Sequence, residues 1–206
     1  MPRRIFKEGR RYTFSDYFEM GQPTEEILAE LGYSFQTQAL RLPKAEHIDQ
    51  ASIQSLRETY YALATKVSLN SEAAKREFMI SPVLQTIVRS MDVRLNVEYP
   101  VDIDEHLSGT IDYLLRSQYE LIVIEAKKGD LEKGFSQLAA EMIAIDRYDS
   151  DNNPDLLYGA ITIGEVWRFA MLERPQKRLL RDIHTLRFPE DLEELCTILG
   201  GILHKG

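Results

Sequence analysis

Apolar residues recur along this chain with two different spacings, and the order of those spacings predicts its secondary structure. Between Ser71 and about Arg89 they share one side of a predicted helix, and Pro82 predicts a kink or a break near Ser81. Three extended segments follow, at residues 93–104, around Asp112 and at 121–124, and Pro100 indicates an edge strand or a bend in the first of them. Helical spacing then returns from Leu131 to about Ile145, with Phe135, Leu138, Met142 and Ile145 on one side.

The flanking regions carry further elements of both kinds. Upstream, the pattern predicts two short helices within residues 13–32, a strand at 33–42 and a longer helix from 45 to about 66. Downstream, it predicts strands at 156–163 and 166–172, joined by a turn at Gly164-Glu165. A further strand within 177–186 and a final helix from Pro189 to about Leu203 complete the prediction.

The resulting order is helix, three strands, helix and two strands, with additions at both ends. The strands have few polar positions, which is typical of a sheet covered on both faces, so we predict an α/β fold with a mixed central sheet flanked by helices. Residues 1–66 are interpreted as an N-terminal extension that packs on the core and is not an independent domain. Residues 67–206 are interpreted as the main domain, which ends in the C-terminal helix.

Composition agrees with a single soluble domain. The chain has 206 residues, of which 44% are hydrophobic and 28% charged, and its apolar runs are far shorter than the ~20 residues of a membrane span. The first residues are basic and polar, unlike a signal peptide. One cysteine, Cys196, excludes an internal disulfide and a cysteine-based zinc site. We therefore expect no membrane partner and a cytoplasmic location.

The net charge of −8 argues against an undirected nucleic-acid binder, because contacts to phosphate come from Lys and Arg. It does not exclude a nuclease, whose cleft can be locally basic and whose bound metal offsets acidic ligands. Two basic clusters stand out, and solvated surface charge explains each of them as well as a functional role does. They are formed by Arg3, Arg4, Lys7, Arg10 and Arg11, and by Arg174, Lys177, Arg178, Arg181 and Arg187.

Two carboxylates lie on the apolar segments that form the predicted hairpin. If Ser117 and Gln118 are its two turn residues, Asp112 lies across from Val123 and on the same face as Glu125. A three-residue turn would put Asp112 on the opposite face unless a bulge restored the register. Lys127 follows Glu125 at a spacing of two and shares its face.

This arrangement has the groups that hydrolysis of a phosphodiester bond requires. Mg²⁺ takes oxygen ligands, which the carboxylates of Asp112 and Glu125 and the carbonyl of Ala126 could supply. Lys127 could orient or help deprotonate the attacking water and offset charge that develops on the phosphorus centre. The alternative is a strand that ends at the surface with residues 125–128 solvated.

The sequence Asp112…Glu125-Ala126-Lys127, followed by a helix that carries Gln137, resembles the PD-(D/E)xK nuclease superfamily with its restriction-endonuclease-like fold. The core of that fold is αβββαβ, which matches the predicted order from Ser71 to about Leu172. The resemblance covers roughly half of the chain. The proline of the family name is absent, because Ile111 precedes Asp112.

The resemblance implies roles for several residues. Asp112 and Glu125 become metal ligands and Lys127 the catalytic lysine. The segment that begins at Ser71 resembles a helix whose glutamate faces the metal in some members, and Glu72 matches that position better than Glu77. Gln137 matches a glutamine near the active site or the substrate backbone. The implied cofactor is Mg²⁺, for which Mn²⁺ substitutes.

Three functions follow from these observations. The leading one is a Mg²⁺-dependent endonuclease or exonuclease that acts on nucleic acid, with DNA expected and RNA an open alternative. A homodimer would suit double-strand cleavage by such a small single-site enzyme. The second is a non-catalytic member of the same fold that binds nucleic acid or a protein. The third is an unrelated α/β enzyme. The sequence contains no glycine-rich phosphate loop, nucleophile elbow or histidine pair that would support it.

Overall fold

The computed structural model describes residues 5–117, the backbone of 120–125, and residues 129–148 and 154–203. The helices are α1 (Phe14–Glu19), α2 (Thr24–Glu30), α3 (Gln50–Ala64), α4 (Glu72–Lys75), α5 (Ser81–Ser90), α6 (Leu131–Tyr148) and α7 (Leu192–Leu203). A π-helical turn, Arg76–Ile80, joins α4 to α5. The strands are β1 (Ser34–Gln38), β2 (Arg94–Asp102), β3 (Ser108–Arg116), β4 (Glu120–Glu125), β5 (Leu156–Thr162), β6 (Val166–Glu173), β7 (Arg178–Asp182) and β8 (Leu186–Arg187).

The described strands form one mixed sheet in the order β1-β7-β6-β5-β4-β3-β2, with β8 beside β6. The pairs β1–β7 and β4–β5 are parallel, and the remaining pairs are antiparallel. A hairpin can join antiparallel neighbours directly, whereas the parallel step from β4 to β5 needs a crossover, and α6 provides it. The predicted α/β class, with a mixed sheet flanked by helices, is confirmed.

Two hydrophobic cores cover the two faces of the sheet. The first core contains Phe14 of α1, Phe135 and Leu138 of α6 and Ile161 of β5. In the second core, α5 and α7 pack over the other face, and its residues include Leu84, Ile87, Trp167 and Leu199. Each such side chain contributes about 1.5–3 kcal/mol when it is fully buried. The strands therefore direct apolar side chains to both faces of the sheet, as the sequence pattern predicts.

Helix α6 is the most deeply enclosed element that positions the candidate site. Its residues from Gly134 to Ile145 are all buried, because it lies between the sheet and α1 and α2. Its first turn is capped by Asp130, whose Oδ1 accepts hydrogen bonds from the amides of Glu132 and Lys133, both at 3.1 Å. The backbone of α6 is thus a fixed support for side chains that point from it.

The helix predicted from Ser71 is irregular where the sequence predicts it to be. Ser71 caps α4 by accepting a hydrogen bond from the amide of Ala74 at 3.1 Å. Pro82 has no N–H and its ring would crowd the carbonyl group four residues earlier, and the wider π-helical turn before it relieves that conflict. The predicted kink is confirmed as a π-helical turn.

The N-terminal region shares the sheet and its cores. Strand β1 pairs in parallel with β7, from Ser34 opposite Arg178 to Gln38 opposite Asp182. The hydroxyl of Tyr33 donates to Asp146 of α6 at 2.7 Å. Helix α3 is shorter than predicted and begins after Asp49, whose carboxylate accepts hydrogen bonds from the amides of Ala51 and Ser52. None of the described helices combines the length and the apolar character that crossing a membrane requires.

Cys196 of α7 lies in the second core with 1% of its surface exposed. Burial raises the pKa of its thiol from 9.0 to about 12. We expect a thiol reagent such as DTNB at pH 8 to label Cys196 only after denaturation, since the thiolate is the reactive form. Rapid labelling of the native protein would contradict this expectation.

The same shift has a consequence for stability at high pH. The folded state keeps the thiol neutral, whereas the unfolded chain releases the proton above pH 9.0. Stability should therefore fall as pH rises from 9 towards 12, and more steeply in the parent than in Cys196→Ala. Urea unfolding of both proteins at pH 8 and pH 10 measures the difference; parallel losses would contradict it.

Candidate functional site

An open pocket of about 910 Å³ lies where α1, the helix around the π turn, strands β2 and β3 and α6 meet. Side chains from separate parts of the chain line it, and four of them are carboxylates. The chemistry-bearing lining residues are Glu72, Arg76, Glu77, Glu98, Asp112 and Gln137. Three residues of the predicted site, Glu72, Asp112 and Gln137, thus face one pocket. The metal-binding and catalytic roles of these three residues stay predictions.

Asp112 lies in β3, but the hairpin that follows has a different register from the predicted one. Tyr113, rather than Asp112, lies opposite Val123, and Arg116 lies opposite Glu120. Three residues, 117–119, separate the paired positions, so the hairpin has the three-residue alternative rather than the two-residue turn. Gln118 and Tyr119 themselves lie outside the described residues.

On its other edge, β3 is irregular at Asp112. The antiparallel pairing of β2 with β3 runs through Val97 opposite Tyr113 and Tyr99 opposite Ile111, but it skips Glu98 and Asp112. Glu98 has a φ of 53°, in the left-handed region that costs a non-glycine residue on the order of 1–2 kcal/mol. The ladder is therefore interrupted at the position of Asp112.

The interruption changes the face to which the strand's side chains point. Tyr113 and Leu115 lie in the second core and Leu114 in the first, as strict alternation requires. Ile111 would then share the face of Tyr113, yet it lies in the first core. Simple alternation consequently does not apply across Asp112, and the three-residue turn alone does not assign its face. Asp112 lines the pocket, so its side chain is accessible there.

Glu72 and Glu77 both contribute to the pocket. Glu72 lies in the first turn of α4, and Glu77 lies within the π-helical turn. A π turn shifts the helical phase, which brings these positions to the same pocket although they are five residues apart. The structure brings both glutamates to the candidate site, and the preference for Glu72 rests on the resemblance.

Gln137 is fixed by a buried neighbour on its own helix. Only 3% of its surface is exposed, and its Nε2 donates to Oε1 of Glu141 at 3.0 Å. Glu141 is fully buried. The pair spans one turn of α6, so it orients the amide of Gln137 at the pocket wall. Sequence analysis missed Glu141, although an acidic residue four positions after Gln137 in a helix with many apolar residues is unusual.

The remaining predicted ligands fall on the next strand and beyond it. The backbone of β4 ends at Glu125, which pairs with Thr162 of β5. The side chain of Glu125, and Ala126 and Lys127 entirely, lie outside the described residues. Within the part of the chain whose side chains are described, no group of three or more His, Cys, Asp or Glu residues is arranged to hold a metal ion.

The donor chemistry of the pocket nevertheless suits a hard cation. The carboxylates of Glu72, Glu77, Glu98 and Asp112 provide only oxygen, which Mg²⁺ and Mn²⁺ accept, and no described lining residue offers sulfur or imidazole. The described residues supply the Asp112 side of such a site, and completing it requires the predicted ligands Glu125 and Ala126.

The two basic clusters are largely neutralised within the chain. Arg10 pairs with Asp16 at 2.7 Å, and Arg11 pairs with Asp102. In the second cluster, ion pairs join Arg174 to Asp146, Arg178 to Glu173, Arg181 to Glu132 and Arg187 to Asp191. Arg3 and Arg4 lie outside the described residues. The described arginines of both clusters stay charged, but together with their acidic partners they present less net positive charge than the sequence indicates.

Sequence analysis also missed Arg76 and Tyr113 as members of the site. The Arg76 guanidinium carbon lies 5.4 Å from the centre of the Tyr113 ring, and its Nε donates to the tyrosine hydroxyl at 3.4 Å. A charged residue on a predicted helix is usually solvated, so the pattern gave no reason to select it.

No known protein-family model matches the chain, and no curated protein sequence is significantly similar to it.

Proposed function

We propose that this protein is a metal-dependent nuclease that hydrolyses phosphodiester bonds in DNA. The observation that carries the proposal is the meeting of Glu72, Asp112 and Gln137 in one pocket, although each comes from a different element. The resemblance to the PD-(D/E)xK superfamily assigns all three to one active site. The fold, rather than proximity in the chain, brings them together.

The arrangement of elements supports the same proposal. The chain runs from α5 through β2, β3 and β4 to α6 and β5, and these strands are adjacent in the sheet. This order is the same as the αβββαβ core that the resemblance implies, which supports the proposal. The candidate residues lie on its first helix region, its second strand and its second helix, where the resemblance to the PD-(D/E)xK superfamily implies an active site.

In the proposed mechanism, Asp112, Glu125, Glu72 and the carbonyl of Ala126 would hold Mg²⁺ or Mn²⁺. The bound ion would neutralise the scissile phosphate and lower the pKa of the attacking water. Lys127 helps to remove the proton of that water and offsets charge on the phosphorus centre. Gln137, whose amide is oriented by Glu141, donates or accepts a hydrogen bond at the pocket wall. Water is added across the P–O bond, which yields a phosphate monoester and a hydroxyl group.

Cleavage assays test the proposal directly. Purified protein is incubated with supercoiled plasmid, linear duplex, single-stranded DNA and RNA, in Mg²⁺, Mn²⁺ or EDTA. We expect cleavage of DNA in either metal and none in EDTA. Lys127→Ala should lose cleavage and keep the circular dichroism spectrum of the parent. Absence of cleavage of every substrate, together with absence of Mn²⁺ binding by calorimetry, would overturn the proposal.

A non-catalytic binding module of the same fold is the alternative outcome of that experiment. It would be supported if the parent binds nucleic acid or protein without cleavage and Lys127→Ala behaves like the parent in every assay. A DNA substrate, a homodimer and a cytoplasmic location stay predictions from the sequence.

A further inference from the structure

Arg76 differs from the other charged residues of the pocket in its sign. It is the one Lys or Arg side chain among the described lining residues, whereas Glu72, Glu77, Glu98 and Asp112 are acidic. A polyanion that enters the pocket is repelled by these carboxylates until a metal ion offsets them. Arg76 is the described lining group that attracts such a polyanion directly.

The position of Arg76 is fixed relative to Asp112. Its guanidinium lies over the ring of Tyr113, the residue that follows Asp112 in β3, and donates to the tyrosine hydroxyl. The Ser81 hydroxyl lies 3.0 Å from the same oxygen and holds the phenol in place. The Tyr113 side chain is itself buried, with 3% of its surface exposed. Arg76 is therefore preorganised beside the strand that carries the candidate metal ligand.

The ionic contact between Arg76 and Glu98 is loose. Nη2 of Arg76 lies 3.7 Å from Oε1 of Glu98, which is longer than an ordinary hydrogen bond, and 67% of the Glu98 side chain is exposed. The adjacent residue forms a contrasting pair, because Nζ of Lys75 lies 2.9 Å from Oε2 of Glu165. An exposed carboxylate at such a distance is easily exchanged for another anion.

We propose that Arg76 binds a backbone phosphate of the nucleic acid next to the scissile position, and that Glu98 occupies this guanidinium until the phosphate displaces it. The inference rests on the proposed function for the identity of the polyanion. A guanidinium matches phosphate oxygens with two parallel hydrogen bonds, whereas its contact with Glu98 is a single one at 3.7 Å. Glu98 thereby acts as a competitor that is built into the pocket.

The first test removes the cation. We expect Arg76→Ala to weaken binding of a fluorescein-labelled DNA duplex, measured by anisotropy in Ca²⁺, by about tenfold. The slope of log K against log salt should fall by about 0.9, because one phosphate contact is lost. Arg76→Lys should recover part of the affinity and the whole slope. Lys75→Ala is the matched control, since it removes a neighbouring cation that does not line the pocket, and it should change affinity less than about twofold.

The second test removes the competitor. Glu98→Gln should strengthen binding of the same duplex by about threefold, because the phosphate no longer displaces a carboxylate. Glu165→Gln, which removes the partner of Lys75, is its control and should bind like the parent. The gain from Glu98→Gln should disappear in the Arg76→Ala background, which separates competition for Arg76 from general repulsion by the Glu98 charge.

The outcomes separate this inference from the nuclease proposal. Parent affinity and salt slope in a folded Arg76→Ala variant would overturn the inference even if the parent cleaves DNA, and so would equal losses in Arg76→Ala and Lys75→Ala. If the parent binds DNA without cleaving it and Arg76→Ala shows the predicted loss, the inference stands while the nuclease proposal falls. Absence of binding to duplex DNA in Ca²⁺ would overturn the inference.

Discussion

Asp112→Asn is expected to reduce the rate of Mg²⁺-dependent DNA cleavage by at least about a thousandfold, which corresponds to about 4 kcal/mol of transition-state stabilisation. An amide has nearly the shape of the carboxylate but lacks its charge, so the variant keeps the pocket and loses the charge of the proposed metal ligand. The rate of plasmid nicking measures the effect. Asp102→Asn, at the exposed end of β2, is the matched control and should cleave like the parent.

A second measurement distinguishes a metal ligand from a residue that only supports the strand. Asp112 contributes negative charge to a pocket that already carries three other carboxylates. Asp112→Asn should therefore bind DNA more tightly than the parent in EDTA, while its calorimetric affinity for Mn²⁺ decreases. Unchanged Mn²⁺ affinity with parent-like cleavage would remove Asp112 from the proposed mechanism.

Gly201→Ala is expected to lower the free energy of unfolding by about 2–3 kcal/mol. Alanine ordinarily stabilises a helix by about 1 kcal/mol relative to glycine, so the expected change has the opposite sign from helix propensity. The reason is contact with backbone: a Cβ at Gly201 would lie 2.5 Å from the nitrogen of Lys44 and 2.6 Å from its Cα. The segment is held to α7 by the amide of Ala45, which donates to the carbonyl of Thr197 at 2.9 Å.

Gly200 offers the control for this effect on the same helix. A Cβ there would lie 3.2 Å from the Cβ of Ala45, which is a tight contact with a side chain rather than with backbone. Gly200→Ala should therefore stay within about 1 kcal/mol of the parent, because the gain in helix propensity offsets the small displacement. Urea unfolding followed by circular dichroism compares the variants. Equal midpoints for Gly200→Ala and Gly201→Ala would contradict the steric argument.

The sequence predicted the element order because that order depends on local spacing of apolar residues. The kink before Pro82 was predictable for a similar reason, since a missing N–H and a ring clash are properties of proline itself. The α/β class followed from the strands at 121–124 and 156–163, whose apolar character requires cover on both faces. Predictions of this kind need no knowledge of distant contacts.

The geometry around Asp112 depends on contacts that the sequence does not encode locally. One extra turn residue changed the register of β3 with β4, and residues 116–120 carry no motif that distinguishes the two lengths. The left-handed backbone of Glu98 was equally unexpected, because a glutamate there is stabilised only by its surroundings. Arg76 gained significance only when the fold placed Tyr113 beneath it.

The parallel pairing of β1 with β7 bears on how the protein reaches this fold. The backbone amide of Ser34, at the start of β1, donates to the carbonyl of Lys177, which lies 143 positions later in the chain. During synthesis β1 therefore emerges well before its partner in the described sheet, β7. Closing so long a loop is slow. We therefore expect the outermost strand to join last, after translation of residues 178–182, so that ribosome-bound chains lacking them present an incomplete sheet to chaperones.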